Sequence, residues 1–125
     1  MISSINGHLT TKSTDSVDIS IGGITITIST PSSTIESMGA IGDSVRLLTS
    51  LQLRQDSVTL YGFGTAEDLA AFETLITISG VGPRMALAIL STYDAESLSA
   101  IVTAGDTVSF TKVSGLGERL SLIPL

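Results

Sequence analysis

Two segments of this sequence repeat each other and carry its most informative chemistry. Ile78-Ser79-Gly80-Val81-Gly82-Pro83-Arg84-Met85-Ala86-Leu87 reads against Val113-Ser114-Gly115-Leu116-Gly117-Glu118-Arg119-Leu120-Ser121-Leu122 at an offset of 35 residues. Both run apolar, Ser, Gly, apolar, Gly, any residue, Arg, apolar, small, Leu. Two glycines around an apolar residue let the backbone turn sharply while that residue anchors the turn in a core. Peptide N–H groups at the start of the following helix then face outward, where the helix dipole is positive. That is an anion site, and a phosphodiester fits it. Arg84 and Arg119 fall in the first turn of their helices, close enough to reinforce a phosphate contact.

A plain helical hairpin whose glycines serve only close packing is the other reading, and one copy alone would favour it. Two copies with Arg in register favour phosphate. The pattern is not a dinucleotide fingerprint, because Met85 and Leu120 stand where a third glycine belongs and no parallel strand precedes the turn. Nor is it a Walker loop, since Gly-Lys-Ser/Thr does not occur.

Periodicity predicts the elements that position these turns. Up to about Phe63 the chain alternates with period two, as in Val17, Ile19 and Ile21, and Ile2, Ile5 and Leu9 belong to a first strand before them. Gly22-Gly23 follows as a hairpin signal, and alternation resumes with Ile24, Ile26 and Ile28. Val45, Leu47, Leu51 and Leu53 predict a long fourth strand, and Val58, Leu60 and Tyr61 a short fifth. Between the third and fourth, one helical turn is expected at Ser33 to Ser37. Five short antiparallel strands suit a small Greek-key barrel, since closure removes exposed edges. From Thr65 the period becomes 3.6: Leu69, Phe72 and Ile76 on a first helix, Met85, Leu87, Ile89 and Leu90 on a second opened by Pro83. Leu98, Ile101 and Val102 mark a third helix capped by Asp94, and Asp106 opens a shorter fourth through Val108 to Lys112. The fold class is therefore α+β in two modules, a barrel over 1–63 and an all-α module over 64–125.

Composition narrows the chemistry. The chain has 125 residues, 12 acidic and 6 basic, and a net charge of −6. Charged residues reach only 14 %, and 35 residues are Ser or Thr, so surface polarity comes mainly from hydroxyls. With no cysteine and one histidine, His8, neither a metal site nor a thiol or imidazole catalyst is expected. No catalytic residue and no cofactor is predicted. No apolar run approaches the ~20 residues of a membrane span, and the start lacks a positively charged n-region, so a cytoplasmic location is expected. The acidic balance weighs mildly against nucleic acid.

These motifs, with Leu53-Arg54-Gln55-Asp56 leading into Leu60-Tyr61-Gly62-Phe63, resemble the RuvA family from Met1 to about Gly117. The resemblance implies an oligonucleotide-binding-type (OB) five-stranded barrel followed by two helix-hairpin-helix motifs. It implies homotetramers that hold four-way (Holliday) junction DNA by structure and independently of sequence, and a hexameric ATPase, RuvB, as partner in branch migration. Ser79, Gly80, Val81, Gly82 and Arg84 correspond to the first phosphate-binding hairpin. Ser114, Gly115, Leu116, Gly117 and Arg119 correspond to the second. The turn at Gln55 and Asp56 corresponds to the family's acidic pin, near the centre where strands exchange.

Three departures follow. Gln55 leaves one acid, Asp56, where the family has two. Glu118 puts a carboxylate beside the second hairpin's phosphate site. The family continues into a linker and a domain that contacts the ATPase, and a sequence ending at Ile123-Pro124-Leu125 is expected to lack that domain and not to reach the ATPase. Few basic residues, Glu118 and the short end also support a second reading, an interaction protein of the same fold with weakened or lost DNA binding. An enzyme built on this hairpin would need a catalytic Asp or Lys in a further helical domain, which the sequence does not supply.

Overall fold

The structure, a computed structural model, describes residues 2–93. Its elements run β1 (Ser4–Lys12), β2 (Ser16–Ile21), β3 (Ile24–Ser29), α1 (Ser32–Ser37), β4 (Ser44–Arg54), β5 (Ser57–Phe63), α2 (Ala66–Leu75) and α3 (Pro83–Thr92). By contact the chain divides into two compact units, Met1–Leu69 and Ala70–Leu125. The third and fourth helices expected between Asp94 and Lys112 lie outside the described residues.

The first unit is a closed barrel in the order β1-β2-β3-β5-β4. β1 pairs with β4 through Ser4 to His8 and with β2 from His8 onward, so one strand serves two neighbours. A bulge at Thr10, between the Leu9↔Ile19 and Thr11↔Asp18 pairs, bends β1 as it passes from one to the other. Gly22, at φ +61°, takes the first central position of the β2–β3 hairpin, and Gly23 keeps φ negative, the pattern of a type II′ turn. A single parallel pair, Ser29↔Tyr61, closes the ring between β3 and β5.

The alternation read from sequence fills this barrel. Ile5, Leu9, Val17, Ile19, Ile28, Leu47 and Leu60 are buried together, and Ile35 of α1 joins them. The loop after α1 is tied down twice. The Asp43 carboxylate accepts the Ala40 N–H at 2.8 Å, and Lys12 Nζ donates to the carbonyls of Met38 and Gly39 at 3.4 and 3.2 Å.

Two features depart from simple alternation. Leu53 and Val58 are on the inward row yet 65 % and 67 % exposed, because the β4–β5 hairpin runs on past the end of the barrel. At the other end of β5, Leu60, Tyr61, Gly62 and Phe63 are all buried, so both faces of the strand are covered there.

Close approach explains two glycines. A Cβ on Gly7 would strike the Ser20 carbonyl and stand 2.7 Å from Ile19 Cγ2, and one on Gly62 would stand 2.6 Å from Ile28 Cγ2. At Gly23 a Cβ meets nothing. Gly7→Ala is therefore expected to lower stability by about 1–3 kcal/mol through overpacking. Gly23→Ala should stay within about 0.5 kcal/mol. Urea denaturation of both variants checks the contrast.

Candidate nucleic-acid interface

α2 begins where Thr65 Oγ1 accepts the Asp68 N–H at 3.1 Å, with Glu67 and Asp68 in the first turn facing the positive end of the dipole. Phe72 and Leu75 are its buried residues. The chain then leaves the helix in a series of tight turns, Thr77 N–H to Thr74 O, Ile78 N–H to Leu75 O, and Val81 N–H to Ile78 O, each about 3.0 to 3.1 Å.

Gly80 has φ +85°, in the left-handed region that an L side chain resists. That reversal lets Val81 turn inward, where it is 5 % exposed, while Ser79 and Gly80 before it stay exposed. Val81 thus acts from beneath: its side chain is the anchor, and its N–H is committed to the turn.

α3 starts directly afterwards. Gly82 is its N-cap in an extended conformation, Pro83 occupies the first turn, and no side chain caps the helix. An N-cap Ser, Thr or Asp would occupy the first amides with its own oxygen. Glycine offers no such oxygen, and Pro83 costs nothing where an N–H would be unpaired. Arg84 is exposed and shares an outward stripe with Ala88 and Thr92, while Pro83, Ala86, Leu87 and Leu90 form the opposite, buried one. The arrangement presents amides, the positive end of a dipole and a guanidinium at one helix start, which is a chemistry for binding an oxyanion. Of the expected site residues, Ser79, Gly80, Val81, Gly82 and Arg84 are brought together in this way. Ser114, Gly115, Leu116, Gly117 and Arg119 lie outside the described residues.

Gln55 and Asp56 form a two-residue turn in the first unit, both exposed, between the Arg54↔Ser57 pair that ends the β4–β5 hairpin. Arg54 is exposed as well, so the tip carries one positive and one negative side chain. Among the described residues no group of three or more His, Cys, Asp or Glu is placed to hold a metal ion.

The sequence matches two family profiles in chain order. Residues 1–62 match the RuvA N terminal domain, and residues 72–121 match a SAM-like helix-hairpin-helix tandem. The chain belongs to the RuvA family. Similar proteins include the Holliday junction branch migration complex subunit RuvA of Dehalococcoides mccartyi, 37 % identical over 121 residues, covering 97 % of this chain and 62 % of the relative. The RuvA subunits of Ruminiclostridium cellulolyticum and Tropheryma whipplei are 40 % and 44 % identical, each over 97 % of this chain and 61 % of the relative. The chain thus spans about three-fifths of the length of these curated RuvA relatives. The second profile extends to residue 121, so the first copy of the 35-residue repeat and all of the second but Leu122 fall within the helix-hairpin-helix match.

Gly80→Ala should destabilise this RuvA-family chain by about 1–2 kcal/mol, the cost of an L side chain in the left-handed region. Arg84→Ala should change stability by less than about 0.5 kcal/mol, as expected of an exposed side chain. Thermal melts of the two variants beside wild type read both effects.

Proposed function

We propose that this chain is a non-catalytic DNA-binding subunit that recognises four-way junctions by structure, for branch migration in recombination and repair. The observation that carries the reading is the start of α3, where glycine, proline and a left-handed turn leave a helix N-terminus uncapped by any side chain beside exposed Arg84. Backbone amides and arginine read phosphates, so base sequence is not part of the contact. Membership of the RuvA family and the names of the relatives support the same reading.

The working unit is a homotetramer with four copies of each hairpin around one crossover. Four arms around one crossover match a fourfold repeat of each hairpin, and closed symmetry is the usual form of a homo-oligomer. Few basic residues per copy make avidity necessary: two hairpins in each of four subunits supply what a single site lacks. In this reading residues 1–63 are the barrel module and 64–125 the DNA-binding module, with Ser114 to Arg119 as the second hairpin. The tip at Gln55 and Asp56 faces the crossover. The relatives' names point to a branch-migration complex, in which this chain would be the DNA grip, while the RuvB-type ATPase that the family resemblance implies is not expected to be contacted by residues 1–125. The location that fits a DNA-processing subunit is the cytoplasm. Among the described residues no helix is long and apolar enough to cross a membrane.

Light scattering with and without an immobile four-way junction tests the assembly, and competition tests the recognition. The expected outcome is a tetramer on the junction that linear duplex displaces poorly and that junctions of unrelated sequence displace equally well. A chain that remains monomeric with junction present, or one that linear duplex displaces as readily as junction, contradicts the proposal.

A further inference from the structure

The β4–β5 hairpin carries a feature that phosphate binding does not use. Leu53 and Val58 are directly opposite each other in the ladder, on one face, one pair back from the Arg54↔Ser57 pair that flanks the Gln55–Asp56 turn. They are 65 % and 67 % exposed and continue outward the row that Leu51 and Leu60 begin inside the barrel. An aliphatic pair facing each other at a hairpin tip gains little in water, and polar residues with good strand propensity, such as Thr, would support the ladder equally well.

We infer that Leu53 and Val58 form an apolar wedge that covers the faces of bases unstacked at the crossover of a bound junction. The inference rests on the junction-binding reading, which puts this tip at the point of strand exchange. Two observations and one chemical argument favour nucleobases as the occupant. The two side chains expose at most roughly a few hundred Å², well short of the ~800 Å² per partner that a stable protein interface buries. A base lifted from its stack offers a flat apolar face that two aliphatic side chains are enough to cover. The tip is also electrically balanced, Arg54 against Asp56, so it neither draws phosphate onto itself nor is driven from among phosphates. Small aliphatic wedges of this kind are an established way for proteins to hold an unstacked base step.

The test uses the full chain and an immobile four-way junction with 2-aminopurine, an adenine analogue that brightens when unstacked, at the crossover. Wild type is expected to bind and raise the fluorescence severalfold. The double variant Leu53→Ser/Val58→Thr, altered only at exposed positions, is expected to bind with unchanged salt dependence and to show little of the rise. Leu53→Met/Val58→Ile is expected to retain it. A double Ser/Thr variant that keeps the full rise overturns the inference, as does one whose tetramer dissociates, since the pair would then be covered by a second copy of the chain. Wild type that binds without any rise overturns the wedge alone. Wild type that does not bind the junction overturns the reading beneath it, and the wedge with it.

Discussion

A helix whose first residues are glycine and proline has no side chain with which to satisfy its own N-terminal amides, and much of the second unit follows from that. Gly82 caps α3 with backbone alone, so no side-chain oxygen of the cap residue covers that end. Gly80 supplies the φ of +85° that brings the chain into this start, and buried Val81 holds the turn by its side chain and its N–H. Pro83 starts the buried stripe of α3 while Arg84, the next residue, is exposed. Adjacent residues therefore divide the work: one side of the turn fixes the backbone, and the other faces solvent.

The same constraint bears on how an acidic chain could meet the polyanionic partner proposed for it. With 12 acidic and 6 basic residues, long-range attraction to DNA is absent from the net charge. One of the basic residues, Lys12, is held by the carbonyls of Met38 and Gly39. What remains local to the hairpin is a dipole end and one guanidinium, both short-ranged and both directed. Weak sites of this kind depend on repetition, which a tandem motif supplies in part and the proposed symmetric assembly would complete. The barrel's contribution is different. Its closure through a single β3–β5 pair and its close approaches at Gly7 and Gly62 make a compact support, and its longest hairpin projects past it.

Much of this is legible in the residues. The Gly-Gly hairpin, the inward Val17, Ile19 and Ile28, the capping Thr65 and Pro83 at the start of α3 all carry local signals that the structure follows. The RuvA membership is legible too, from Tyr61-Gly62-Phe63 together with Gly80-Val81-Gly82-Pro83. The exposure of Leu53 and Val58 is not, because alternation specifies which face a residue takes and not where the barrel ends beneath that face. The need for glycine at positions 7 and 62 is equally hidden. It arises from side chains and a carbonyl that arrive from β2, β3 and β4, distant in sequence. The burial of Phe63 beside Gly62 reflects cover on both faces of β5, which a period-two pattern cannot express.

The central claim is that the exposed start of α3 holds a phosphate, with Arg84 closing on it. Junction affinity measured across a salt titration, for wild type and Arg84→Ala in parallel, tests this most directly. Counterion release predicts that the log–log slope for Arg84→Ala is shallower by about 0.9 for each phosphate that the arginine neutralises, with affinity reduced on every junction sequence alike. Two parallel lines, equal in slope and affinity, would contradict it.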